Sequence, residues 1–464
     1  MNNTAVRVLP SAATSRRAFL KTSAFAALGF PAIVRAAANT PRRLRVGLVG
    51  TGGRGVNTCR DMAGLAEIVD VIAMADVDPG RGAAGAKVIR ACFPGARQYL
   101  DYRRLFDAEK TLEAVVVTTP DHMHAPISLL AMARGLHVFC EKPLTRTVWE
   151  ARRMRQAAAT AGVVTQMGTQ WAASSDVRRG AELLRAGALG DITELHIWTD
   201  RTPRLPGPKD AAKTLPDGMD WDGWLGVAAR TEFSPRYHPH RWRWWTPYGA
   251  GALGDMGCHM THLAFRGLDL FAPSEVRVDK IGAIPAPGMF PRKTKLTYKF
   301  PANASRKALD LVWYDGGETP DADFLRQFGL KEMAGGGLPP KEGKLIVGTK
   351  GVMWNHYLKL HGEQRFFGFN NHPVSKSVPV TLPRLKEQGT SGHYREWVEA
   401  ALGGPEKTFC GFDVGARQTE MVLLGTVAQQ LGKTIRWDAA KMEIPGEPAA
   451  AALLKPAYRP GWTV

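Results

Sequence analysis

Val46-Gly47-Leu48-Val49-Gly50-Thr51-Gly52-Gly53-Arg54-Gly55 decides how the first third of the chain folds. Val46 to Val49 has the length and apolar character of a short strand buried on both faces. Three glycines follow at the spacing G-x-G-x-x-G, and Val56 to Leu65 then reads as a helix. Gly50 allows a tight turn, Gly52 lets the backbone approach a pyrophosphate, and Gly55 lets the helix lie close to the sheet. Gly53 and Arg54 complete the turn, where the first N–H groups of the helix face phosphate charge. Asp76 ends the next apolar run, Val69 to Ala75. A carboxylate about 20 residues beyond the glycines accepts from a ribose 2′-OH and repels a 2′-phosphate. In a chain with 49 glycines the motif alone is weak. Strand, helix and acid in register make it a dinucleotide site, for NAD rather than NADP.

The 464 residues are enough for a large core and about two domains. The formal charge is +18, but residues 1 to 36 hold five bases (Arg7, Arg16, Arg17, Lys21, Arg35) and no acid, leaving +13 for the rest. Those remaining bases are scattered, with no basic run or recognition helix, so no nucleic-acid partner is expected. They suit a solvated surface or attraction for acidic substrates. Five cysteines (Cys59, Cys92, Cys140, Cys258, Cys410) are too few and too dispersed for a disulfide framework or a zinc site, and no metal is expected.

Ser15-Arg16-Arg17-Ala18-Phe19-Leu20-Lys21 is a twin-arginine pattern, followed by the apolar stretch Ala24 to Val34 and small residues to Ala38. It predicts an export signal over 1–38, read by the twin-arginine machinery, and a periplasmic or otherwise exported protein. The stretch is shorter than the roughly 20 residues that span a bilayer, so no stable membrane insertion is expected.

From Arg43 the pattern is βαβ, with strands Leu44 to Val49, Val69 to Ala75, Leu112 to Thr118 and Leu136 to Cys140, closed by a helix from Val148 to Ala161. This predicts an α/β fold: an N-terminal Rossmann, doubly wound parallel sheet over 39–162. Residues 163–440 read as an α+β domain with a largely antiparallel sheet, including Glu275 to Ile281, Lys293 to Phe300 and Ala308 to Tyr314, and ending on helices Tyr394 to Ala401 and Val414 to Leu431. A Pro-, Gly- and Trp-rich segment, Asp200 to Gly254, interrupts it, and loops of that length are usually functional. Residues 441–464 form an Ala- and Pro-rich tail expected to wrap a surface.

Three short stretches carry chemistry. Thr119 and Pro120, with His124, follow a strand at its carboxyl end, where ligands of such sheets bind; His124 reads equally as a ligand contact or a helix cap. Glu141-Lys142-Pro143 lies at the same edge, where Lys142 can stabilise charge developing on a substrate oxygen, and Pro143 admits a cis bond. Asp255 and His259 are four apart, so on a helix they share a face, and a histidine beside a carboxylate is a natural general base. Just before them the run from Trp221 to Tyr248 is aromatic. Trp244, Trp245 and Tyr248 are candidate platforms for a pyranose ring, although such residues also form mini-cores or subunit contacts.

The glycine motif, E-K-P after a later strand and G-D-x-G-x-H further on together resemble the glucose–fructose oxidoreductase / inositol dehydrogenase (Gfo/Idh/MocA) family, over about Arg43 to Asp438. The resemblance implies that Lys142 is the family's E-K-P lysine, Asp255 its motif aspartate and His259 its catalytic histidine. It also implies a cis Lys142–Pro143 bond. Many members carry Asp three residues after that histidine; here His262 takes that place, as a substrate contact. The dinucleotide is expected to touch Gly50, Gly52, Gly53, Arg54, Gly55, Asp76, Thr119, Pro120, His124, Glu141 and Lys142. The expected activity is NAD(P)-dependent oxidation of a hydroxyl on a sugar, glycoside or polyol by a homo-oligomer. The alternatives are a glycosidase or lyase using transient oxidation, and a non-catalytic sugar binder. An exported enzyme finds little free NAD, so tightly held cofactor is expected, clasped by Asp200 to Gly254 or Ala37 to Arg42.

Overall fold

The computed structural model describes residues 42–203, 214–330 and 339–462. The twin-arginine segment, and Ala37 to Pro41 of the second clasp candidate, lie outside these residues. The first sheet has six parallel strands: β1 (Leu44–Val49), β2 (Val69–Ala75), β3 (Arg97–Tyr99), β4 (Ala114–Val117), β5 (His137–Glu141) and β6 (Thr165–Gly168). Their order is β3-β2-β1-β4-β5-β6, reversing direction between β1 and β4. The helices between them are α1 (Arg54–Ala63), α2 (Pro79–Cys92), α3 (Tyr102–Ala108), α4 (His124–Ala133) and α5 (Val148–Ala161). β1 and β4 are buried along almost their whole length, as strands covered on both faces must be. The parallel sheet, and its opening strands, match the sequence reading.

The expected boundary at 162 is one strand early. β6 pairs with β5 in parallel, Val138 opposite Thr165 and Glu141 opposite Gly168. Its four residues follow directly on a helix and are too short to show alternation.

The second half holds a nine-stranded mixed sheet. Its central strands are β7 (Ile192–Trp198), β8 (Glu275–Ile281), β9 (Thr294–Phe300), β10 (Leu309–Asp315) and β11 (Gly343–Gly348). Short strands β12 (Gly351–Trp354), β13 (Tyr357–Leu360) and β14 (Phe367–Gly368) extend one edge. All pairings are antiparallel except β7 with β10. The described helices of this half are α6 (Ser175–Arg185), α7 (Trp221–Leu225), α8 (Gly251–Leu268), α9 (Ala322–Arg326), α10 (Gly389–Ala401), α11 (Phe412–Leu431) and α12 (Ala450–Leu454), and β15 (Ile435–Arg436) closes the other edge of the sheet beside β8.

α10 does not stay with this second sheet. Tyr394, Trp397 and Val398 enter the core beneath β1, β2 and β4, with Leu44, Val71 and Val116. The ring of Tyr394 stacks on Phe139 of β5 at 4.2 Å. The parallel sheet is completed by a helix more than 200 residues further along. All five cysteines are unpaired, and Cys92 alone among them is exposed. No described helix is long and apolar enough to cross a membrane.

Candidate active site

The glycine turn has backbone geometry that excludes a side chain. Gly50 sits at φ +87°, and a Cβ there would come within 2.8 Å of the Thr118 backbone. A Cβ on Gly55 would collide with the Gly50 carbonyl. α1 starts after Gly53 with no side-chain cap and no acid in its first turn; the N–H groups of Gly55 and Val56 turn back onto the Gly52 and Gly53 carbonyls, and the positive end of the helix stays open to an anion.

Asp76 braces this turn. Its Oδ2 accepts from the N–H groups of Thr51 (2.8 Å) and Gly52 (3.0 Å), and Oδ1 accepts from the N–H of Asp78 (3.0 Å). Burial pushes its pKa up against these bonds. The carboxylate still lines the cavity, but positioning the glycines is a duty that the ribose reading of Asp76 did not include.

A cavity of about 580 Å³ runs from the glycine turn along the carboxyl ends of the parallel strands to α8. Gly50, Gly52, Gly53, Arg54, Asp76, Thr119, Pro120, Glu141 and Lys142 all line it. Thr119 Oγ1 is buried there without a hydrogen-bond partner among the described residues. A side-chain-free turn, an uncapped helix start and an orphaned hydroxyl along one cavity fit a dinucleotide. Arg54 Nε donates to Glu141 Oε1 at 3.1 Å, and Gln170 Nε2 donates to the same oxygen at 2.6 Å. Glu141 is thus held by protein groups, and it ties α1 to the end of β5.

Lys142 lies where β5 stops, and its bond to Pro143 is cis. Its Nζ donates to Asp255 Oδ1 (2.9 Å) and to the Asp255 carbonyl (2.7 Å). Arg243 Nε lies 3.2 Å from the same carboxylate. Burial alone would raise the Asp255 pKa, but the Lys142 and Arg243 charges hold it well below the ordinary carboxylate range. His259 sits one turn further along α8 on the same cavity wall. Burial first, then the Lys142 charge, keep its pKa well below 6.5, so the ring is neutral at pH 7. Its Nδ1 has no hydrogen-bond partner among the described residues. No hydrogen bond joins Asp255 to His259 among the described residues: the Asp255 carboxylate is taken by Lys142 and Arg243.

His124 also lines the cavity, but its ring nitrogens are engaged by the protein: Nδ1 meets the Pro143 carbonyl and Nε2 the Thr119 carbonyl, each at 2.9 Å. Both nitrogens must donate to satisfy two carbonyls. Burial opposes the charge, but Cys140, Asp121 and the Pro143 carbonyl outweigh it and raise the pKa to about 10. His262 is 1% exposed, with Nδ1 3.0 Å from Gln418 Oε1 of α11, and does not line the cavity. Trp245 and Tyr248 belong to an aromatic mini-core with Trp224 and Met289. Of the three proposed platforms, Trp244 alone lines the cavity.

Other residues of the site carried no assigned role in the sequence. Arg243 and Arg201 line the cavity. Arg243 lies within the aromatic run of the sequence, and its pairing with the Asp255 carboxylate appears only in the structure. Gln170 and Trp171 follow β6 as Lys142 follows β5; recognising β6 would have placed them at the same edge.

The comparisons with known proteins agree with this architecture. Residues 44–169 match the Gfo/Idh/MocA family, described as an oxidoreductase family with an NAD-binding Rossmann fold. The chain is 33% identical over 177 residues to an inositol 2-dehydrogenase of Leifsonia xyli, covering 38% of this chain and 50% of that protein. It is 26% identical over 235 residues to a glycosyl hydrolase family 109 protein of Stenotrophomonas maltophilia, covering 48% and 51%. These matches span about half the length of the curated relatives. An inositol dehydrogenase homologue from Azotobacter vinelandii, solved with NAD+, has the same fold over 86% of this chain and 98% of that one, with TM-score 0.58 and 19% identity. Over residues 44–169 the chain is thus similar to the NAD-binding Rossmann domain of the Gfo/Idh/MocA oxidoreductase family.

Proposed function

We propose that this protein is an exported oxidoreductase that oxidises a hydroxyl of a sugar, glycoside or polyol with a tightly held NAD. One observation carries the reading: Lys142, Asp255 and His259 line the cavity that begins at the glycine turn. A nicotinamide bound in that cavity would exchange hydride at C4. The protein's own part is proton and charge handling. Neutral His259 accepts the proton of the substrate hydroxyl. The Lys142 ammonium stabilises the negative charge left on that oxygen. Asp255 positions the lysine, and Arg243 keeps that carboxylate ionised. Trp244 offers the sugar an apolar face. Asp76, Thr119 and the start of α1 hold the dinucleotide. The twin-arginine pattern supports export after folding.

A second reading has a specific support. The family 109 relative is named a glycosyl hydrolase, and the same groups could serve a transient oxidation followed by cleavage, with no net redox change. A panel of polyols and aryl glycosides separates the two, with NADH absorbance and released aglycone read together. NADH accumulation supports the oxidoreductase, and aglycone without NADH supports the cleavage. His259→Ala and Lys142→Met are each expected to lower kcat by about 10²- to 10⁴-fold. Full activity in both variants would refute the site.

A further inference from the structure

Behind His259, outside the residues that line the cavity, lie two residues that this chemistry does not use. Trp171, just past β6, is 41% exposed, and its ring centroid lies 5.2 Å from that of His259. On β11, Lys344 is 4% exposed, with Nζ 6.0 Å from the Trp171 ring centroid. Side chains alternate along β11: Leu345 joins the aromatic cluster on one face of the sheet, and Ile346 joins the large core on the other. Lys344 shares the Ile346 face, which carries it toward Trp171 and α8. No acid lies in salt-bridge reach of Lys344 among the described residues, and burial alone pushes its pKa down to about 8. A lysine this deep ordinarily has a carboxylate partner. An exposed indole beside a proton-accepting histidine is, in turn, a surface for the apolar face of a sugar ring.

We propose that Trp171 and Lys344 form a subsite for an anionic sugar, with a pyranose ring lying on Trp171 and its carboxylate taken by Lys344. The proposal rests on the sugar chemistry assigned to His259 and narrows its substrate to the uronic-acid class. A lone ammonium is a point charge that matches one negative charge, so a carboxylate suits it better than a phosphate dianion. The net positive charge of the chain favours approach of an anionic substrate.

The test compares methyl β-D-glucuronide, methyl β-D-glucoside and glucose 6-phosphate, and repeats the comparison for the galacto series. Binding to the full chain is followed by calorimetry, with NADH binding titrated on the same samples. The uronide is expected to bind about tenfold or more tighter than its neutral partner. Lys344→Met should bring the two to parity, whereas Lys344→Arg should retain the preference and guard against a folding defect. Trp171→Ala should weaken both by about three- to tenfold and leave their ratio unchanged. Equal affinities in the unmodified protein, a preference that survives Lys344→Met, tighter binding of the phosphate, or no binding of any probe would each overturn the subsite. Absence of NADH binding would instead count against the oxidoreductase reading itself.

Discussion

Two histidines of similar sequence promise end with opposite electrostatics. Against burial, Cys140, Asp121 and the Pro143 carbonyl raise the His124 pKa to about 10, while burial pushes His262, beside Gln418, down to about 3. Each departs from an ordinary value of 6.5. A raised pKa adds stability that is complete below 6.5 and is lost as pH rises toward 10. A lowered one adds stability that is complete above 6.5 and is lost as pH falls through that value. Urea unfolding is therefore expected to show His124 as a decline of up to about 1.4 kcal/mol per pH unit between 6.5 and 10. His124→Gln should be less stable near neutrality and lack that part of the slope. An identical slope in the variant would mean that His124 is neutral in the fold. None of this is legible in the sequence, because the carbonyls of Thr119 and Pro143 meet the ring only after β4 and β5 lie side by side. The glycine turn was legible because its spacing is local: Gly55 fits against the Gly50 carbonyl within the same turn, although what presses on Gly50 is the Thr118 backbone beyond β4.

At the scale of elements, α10 shows what periodicity leaves out. Tyr394 to Ala401 reads as a helix from its own residues, yet the pattern names a buried face and not what covers it. In the structure that face closes the parallel sheet. Trp397 is fully buried, and the Tyr394 hydroxyl lies 2.9 Å from Thr58 Oγ1 of α1. Trp397→Ala is expected to cost about 3–5 kcal/mol, and Tyr394→Phe about 1 kcal/mol. Because the helix supports β5, the larger loss should also weaken NADH binding, which a fluorescence titration alongside urea unfolding would read. A fragment of residues 42–169 would leave the apolar surface under α10 bare, so it is expected to aggregate. A monomeric, NADH-binding fragment would show that α10 is dispensable. The three short strands β12 to β14 were unread for a different reason: with two to four residues each, they are too brief for alternation to be seen.

At the scale of the whole molecule, the long aromatic segment is the part of the chain that reaches back over the dinucleotide cavity. The Asp220 N–H donates to the Val77 carbonyl at 2.8 Å. His238 Nε2 pairs with Asp78 Oδ2 at 2.7 Å, and His240 Nε2 lies 3.2 Å from Arg81. All three bonds land just beyond β2, beside Asp76, and His238, His240 and Trp242 form the outer wall of the cavity. The tail fastens the base of the same segment, where Arg459 Nε donates to the Gly226 carbonyl at 2.9 Å and the guanidinium pairs with Asp222. These contacts join the described part of this clasp candidate to the wall of the cavity. A bound dinucleotide could then leave only after the segment parts from β2 and α2. Affinity differences of this kind lie mostly in the off-rate, so His238→Ala should release NADH about tenfold faster or more, for the loss of a bond worth about 1.4 kcal/mol. Asp78 also caps α2 through the Arg81 N–H, so the histidine is the more selective place to cut. Stopped-flow displacement of NADH by excess NAD would read the rate, and mass spectrometry after long dialysis would read retention. An unchanged off-rate in His238→Ala would remove the clasp. A protein that dialyses to a cofactor-free state and works only with added NAD would show that the cavity wall shapes the site without retaining what it binds.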